Sequence, residues 1–95
     1  MSKIFVNNAP TIVSNPKPVG LTGHSWRYKV ATEDLNGDKV AYRAVRLPKY
    51  ARFDKKKAVV EWSPRKNQLG MNDFILMAVD EHGATSTHEF QVHIF

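Results

Sequence analysis

The chain has 95 residues, 42% of them hydrophobic and 11% aromatic, with no cysteine and a formal net charge of +5. That is the length of one domain with a globular composition, which excludes an intrinsically disordered chain, a disulfide framework and a thiolate metal site. No apolar run approaches the roughly 18–20 residues of a membrane helix, so no membrane insertion is expected, and a basic balance favours anionic partners without choosing among them.

Taken in chain order, the elements read as strands. Residues 1–6 are expected to be a linker or strand extension, and residues 7–95 the folded domain. The opening "MSKIFVNNAP" lacks the core of a signal peptide, so an export signal would have to lie outside this chain. "PTIVS" is a short opening strand, flanked by Pro10 and Pro16 as an edge strand tolerates. "HSWRYKVAT" places Trp26, Tyr28 and Val30 on one face and Arg27 and Lys29 on the other. The Asn36-Gly37 turn follows, with both residues tolerant of positive φ. "KVAYRAV" then alternates Val40, Tyr42 and Ala44 inward. "AVVEW" supplies Val60 and Trp62. "MNDFILMAVD" alternates Phe74, Leu76 and Ala78 against Ile75, Met77 and Val79. "STHEFQVHIF" closes with Phe90, Val92 and Ile94 inward. Breakers at Pro16, Pro18, Gly20, Pro48, Pro64, Gly70 and Gly83 separate the runs. About seven short strands and no helical period predict an all-β antiparallel β-sandwich. Its core is expected to centre on Trp26, Tyr28, Tyr42, Trp62, Phe74, Leu76, Phe90 and Val92.

In order and spacing, "NNAPTI", "YKVATEDLNGDKVAYRAV", "VVEWSP", "QLGMNDFILMAVDEHG" and "HEFQVHIF" resemble the bacterial immunoglobulin-like modules related to cadherins and to the cadherin-like domain of dystroglycan. Trp62 and Pro64 fill that family's Trp-x-Pro positions, Gly70 its turn, and Asp80 with Gly83 its last hairpin. "PKYARFDKKKA" departs from the pattern, with lysines where a Gly-containing turn is usual. The resemblance implies a non-catalytic spacer or adhesion unit of a larger extracellular or cell-surface protein. Neighbouring copies or other protein domains would be its partners, and calcium or glycan binding would be further roles that the family takes. Fold resemblance alone does not choose among these roles.

Three groups of residues are candidate sites. "DLNGD" is not an EF-hand, because Lys39 and Val45 stand where glycine and a carboxylate are required. In a cadherin-like arrangement Asn8, Glu33, Asp34, Asn36, Asp38, Asp80 and Glu81 would gather at one pole and offer calcium oxygen ligands. The alternative use of the same Asp and Asn side chains is to bond their own backbone in turns. Arg52, Lys55, Lys56, Lys57, Arg65 and Lys66 form a basic stretch, interleaved with Tyr50 and Phe53, able to take an acidic polysaccharide with salt-sensitive affinity. A solvated loop that guards an edge strand is the plainer use of those lysines. Nucleic acid is disfavoured. Ile75, Met77, Val79 and Phe95 are expected on an outer sheet face, as an interface or as ordinary exposed apolar residues. His24, His82, His88 and His93 lack zinc spacing. With no nucleophile elbow, phosphate-binding loop or triad, no catalysis and no required cofactor are expected.

Overall fold

The computed structural model describes residues 8–37 and 39–95, which form strands, turns, irregular connections and one 3₁₀ turn. The strands are β1 (Thr11–Ile12), β2 (Val19–Gly20), β3 (Trp26–Lys29), β4 (Thr32–Glu33), β5 (Val40–Arg46), β6 (Arg52–Asp54), β7 (Val59–Trp62), β8 (Gly70–Asp80) and β9 (Thr85–Ile94). The 3₁₀ turn, Lys66–Gln68, lies between β7 and β8. One sheet runs β2-β9-β8-β5 and faces a second running β3-β7-β6, while β1 pairs with β4. All pairings are antiparallel except β2 on β9. This is the two-layer sandwich expected from the alternating pattern. The predicted linker at residues 1–6 lies outside the described residues.

The core forms where the two alternating faces meet. Trp26, Tyr28, Val60 and Trp62 from one sheet pack with Phe74, Leu76, Val92 and Ile94 from the other. Tyr42 and Phe90, expected in the core, are only partly buried at its margin. The aromatic rings knit the layers together. Trp62 meets Trp26 edge-on at 6.2 Å and Phe74 edge-on at 5.4 Å, and Phe74 stacks on Phe90 at 4.9 Å. Such pairs add about 0.5–1.5 kcal/mol each beyond the area they bury.

Two strands escaped the sequence pattern, and one long run proved to be two. "HSWRYKVAT" breaks after Lys29, so that β4 leaves the β3-β7-β6 sheet and pairs with β1. β2 lies in a stretch that reads as breakers, yet Gly20 is paired with Ile94. A Cβ there would stand 2.9 Å from Ile94 Cδ1 and 3.3 Å from Trp26 Cδ1, so Gly20 serves close packing and is no mere interruption. β6 lies within "PKYARFDKKKA". Its turn into β7 is closed by Asp54, whose Oδ1 accepts from Lys56 N at 2.9 Å and Lys57 N at 3.0 Å. Ala58 then takes a left-handed φ of 56° where glycine is usual.

"DLNGD" also differs from the expectation. Gly37 N donates to Asp34 O at 3.0 Å and Asn36 N to Asp34 Oδ1 at 2.9 Å. Gly37 has φ 71°, whereas Asn36 is not among the residues with positive φ. The stretch is a turn capped by Asp34, and it links β4 in one sheet to β5 in another. It is not a hairpin, because β4 and β5 do not pair.

One polar chain crosses the core margin. Ala31 N donates to Ser14 Oγ at 2.9 Å, Ser14 Oγ meets Tyr28 Oη at 2.6 Å, and Tyr28 Oη meets His88 Nε2 at 2.9 Å. Burial lowers the His88 pKa below its ordinary value and raises that of Tyr28. The neutral ring is therefore the one the fold prefers. Because the folded pKa lies below the unfolded one, near 6.5, this contribution to stability is complete above about pH 6.5 and is lost as pH falls through the folded value. Urea unfolding at pH 7.5 and pH 5 should show a loss on acidification that His88→Gln reduces. An unchanged pH dependence in His88→Gln would remove His88 from the acid response.

Candidate functional site

The strands place chemistry at the two ends of the sandwich. At one end lie the β4–β5 turn, the β8–β9 turn and Asn8. Asn8 Nδ2 donates to Asn36 Oδ1 at 3.3 Å, and Lys39 N donates to Glu81 Oε1 at 2.7 Å. Asp80 is buried, 5% exposed, and its Oδ1 accepts from His82 N and Ala84 N, both at 2.9 Å. At this pole the structure sets Asn8 against Asn36 and the Lys39 backbone against Glu81, with Asp34 and Asp80 each in its own turn and Glu33 opposite Thr11, while Asp38 lies outside the described residues. The Oδ1 atoms of Asp34 and Asp80 each accept backbone N–H groups of their own turns. Among the described residues no three His, Cys, Asp or Glu side chains converge in a metal-holding group.

The opposite end is basic. Segments 17–26, 47–51 and 62–72 carry Lys17, Lys49, Arg65 and Lys66 and not one Asp or Glu. Tyr50, with a left-handed φ of 71° and 44% exposed, lies under the Arg65 guanidinium at 3.8 Å. A cation over an aromatic face is worth about 0.5–1 kcal/mol at an exposed site. Gln68 holds the two segments in place: its Oε1 accepts from Arg65 N at 2.9 Å and its Nε2 donates to Lys49 O at 2.8 Å. A hollow of about 330 Å³ opens beside them, lined by Thr22, Gly23, Ser63, Pro64, Arg65 and Lys66.

The basic residues singled out in the sequence therefore do not form one patch. Lys55, Lys56 and Lys57 sit on the β6–β7 turn. Arg65 and Lys66 lie beyond the other end of β7, a strand of four residues that spans about 13 Å. Arg52 stands opposite Glu61, which also stands opposite Arg27, so a carboxylate lies between the two guanidinium groups across the sheet. Phe53 packs against the core and is not free to stack on a ligand. The hydroxyl-bearing half of the hollow, Thr22 and Ser63, was missed. Nothing in their sequence context marks them, and only the Gly23 N to Pro64 O bond of 2.9 Å shows that the two loops meet.

On the outer face of β8, Ile75, Met77 and Val79 are half-buried. Gln91 Nε2 donates to Asp73 Oδ1 at 2.8 Å and separates them from a second apolar group. There Phe95 stacks on His93 at 4.2 Å, and Met71 and Val19 flank His93 in register. The predicted single face is two patches.

Comparison with known proteins agrees with the fold. Solved structures similar to the chain include an endo-fucoidan hydrolase of glycoside hydrolase family 107, with 18% identity, a TM-score of 0.75, and 98% of this chain and 14% of that one covered. A protein described as a putative alpha-galactosidase from Bacteroides fragilis gives 16% identity and a TM-score of 0.75, covering 99% of this chain and 19% of that one. A nucleoside hydrolase-related hypothetical protein from Saccharophagus degradans, associated with carbohydrate metabolism, gives 13% identity and a TM-score of 0.75, covering 94% and 26%. At these identities the likeness is one of fold, and the chain spans 14–26% of each of them. No curated protein matches the chain. Among the described residues no helix is long and apolar enough to cross a membrane. The match that carries sequence information is to the family described as "Putative Ig domain", which covers residues 9–95, and by it this chain belongs to that family of immunoglobulin-like domains.

Proposed function

We propose that this immunoglobulin-like domain is a non-catalytic module that joins and spaces other parts of a larger extracellular or cell-surface protein. The observation that carries this reading is the placement of its ends. Asn8 is held at the acidic pole by Asn36, and Phe95 is held at the basic pole, where its N donates to Gly20 O at 3.0 Å. β8 alone, with 11 residues, sets about 35 Å between the poles. Any flanking chain would leave in opposite directions along the strands, the geometry of an in-line spacer. Three solved structures in which a domain of this fold takes 14–26% of a longer chain support the reading. Protein domains are the natural contacts of such a module, with the two apolar patches of the outer face as the surfaces available to them.

The test places a fluorescent protein at each end of the chain and follows energy transfer in denaturant. A constant transfer efficiency, set by the separation of opposite poles and lost in one cooperative step, is expected. Transfer as strong as that of adjacent ends, or a gradual change like that of a Gly/Ser linker, would sink the spacer reading. Turnover of a nitrophenyl glycoside by the isolated chain would sink its non-catalytic part.

A further inference from the structure

We infer that the hollow at the basic pole binds one sulfated sugar unit, between the Thr22–Gly23 loop and Ser63–Lys66. The hollow, about 330 Å³, lies at the small end of the roughly 300–1,000 Å³ usual for ligand sites, the size for one compact group rather than a protein face. Its rim supplies the two kinds of group an acidic sugar needs. Arg65 and Lys66 provide fixed positive charge, and the Thr22 and Ser63 hydroxyls can each donate or accept a hydrogen bond. A Cβ built on Gly23 would meet nothing within 4 Å, so the space above that residue is open.

Electrostatics favour the same end. No carboxylate side chain occurs in segments 17–26, 47–51 and 62–72, which carry Lys17, Lys49, Arg65 and Lys66. Lys55, Lys56 and Lys57, by contrast, follow Asp54 in their own turn, and Arg52 stands opposite Glu61. The Arg65 side chain is held ready by two features. Its guanidinium lies on Tyr50, and Gln68 clamps its backbone to that of Lys49. Holding the cation in place before the ligand arrives lowers the ordering cost of binding. The left-handed Tyr50 is what presents the ring to the cation, and backbone strain of this kind persists where the surroundings over-determine it. This inference is independent of the spacer role, which is read by distance and not by ligand binding.

The experiment is a titration of a heparin-derived sulfated tetrasaccharide into the isotope-labelled chain at about 0.15 M ionic strength, where charges more than about 8 Å apart are largely screened, followed by amide chemical shifts. The chemically desulfated tetrasaccharide and a Glu-rich peptide serve as parallel probes. The expected result is a saturable shift confined to Thr22, Gly23, Ser63, Arg65 and Lys66 with the sulfated sugar. Lys66→Glu should weaken binding about tenfold or more, the loss of one charge-assisted contact. Lys55→Ala, Lys56→Ala and Lys57→Ala together should change it by less than about twofold, as for charges outside the site. Lys66 is exposed, and an unchanged spectrum elsewhere verifies that the variant folds. Shifts centred on Lys55–Lys57, an equal response to the desulfated sugar, or no saturable shift would overturn the proposal. An equal response to the Glu-rich peptide would also overturn it, in favour of an acidic protein surface as the partner.

Discussion

Trp62→Ala is expected to destabilise the fold by about 3–5 kcal/mol, the range for removing a large aromatic from a closed core. The side chain is 2% exposed and touches both layers, Trp26 beside it and Phe74 across from it. A domain of 95 residues has about 5–14 kcal/mol of stability in all, at about 0.05–0.15 kcal/mol per residue, so this one change removes a large share. Subtler substitutions sharpen the argument. Trp62 Nε1 is buried and has no hydrogen-bond partner among the described residues, whereas Trp26 Nε1 donates to Lys17 O at 3.2 Å. A buried donor left unsatisfied costs about 1–3 kcal/mol. Trp62→Phe therefore gives back part of what it loses in packing, and should cost about 1 kcal/mol or less. Trp26→Phe loses packing and a hydrogen bond together, and should cost about 2 kcal/mol. Urea unfolding of the three variants checks the order. A cost under about 1 kcal/mol for Trp62→Ala, outside the core range, would remove Trp62 as an anchor. A larger cost for Trp62→Phe than for Trp26→Phe would show that the Trp62 N–H is satisfied.

What could be read from the sequence was what repeats with a period of two. β5, β7, β8 and β9 fall where the alternation of apolar residues placed them, because each buries one face over four or more residues. β2 and β6 have two and three residues and cannot show a period. β2 is held by Gly20 fitting against Ile94 and Trp26, a contact between residues far apart in sequence. The same limit applies to function. Six basic residues close in sequence read as one patch, but β7 and its two flanking turns separate them, and Glu61 stands across from Arg52. Thr22 and Ser63 became part of a site only through the loop contact that brings them side by side. For the acidic residues, an immunoglobulin-like topology dictates which turns share an end. What the topology does not dictate is which oxygens the turns themselves occupy.

Asp80 decides that point. Its carboxylate, at the end of β8, takes backbone N–H groups from His82 and Ala84, and the hairpin is closed further by Asp80 N donating to Ala84 O at 3.0 Å. Asp80→Ala removes a buried acceptor from the two donors and should cost about 2–3 kcal/mol, in the range for hydrogen bonds to a charged group. Asp80→Asn keeps an Oδ1 acceptor of the same shape, and should cost about 1 kcal/mol or less if turn bonding is the residue's task. Thermal unfolding of the two variants and the parent chain, each with and without millimolar calcium, separates the two uses of these oxygens. With turn acceptors alone, Asp80→Ala lowers the melting temperature strongly, Asp80→Asn lowers it little, and calcium moves none of the three. A calcium-dependent rise in the parent chain that Asp80→Asn abolishes would assign the acidic pole to a metal, since one fewer carboxylate weakens a site that depends on ligand charge.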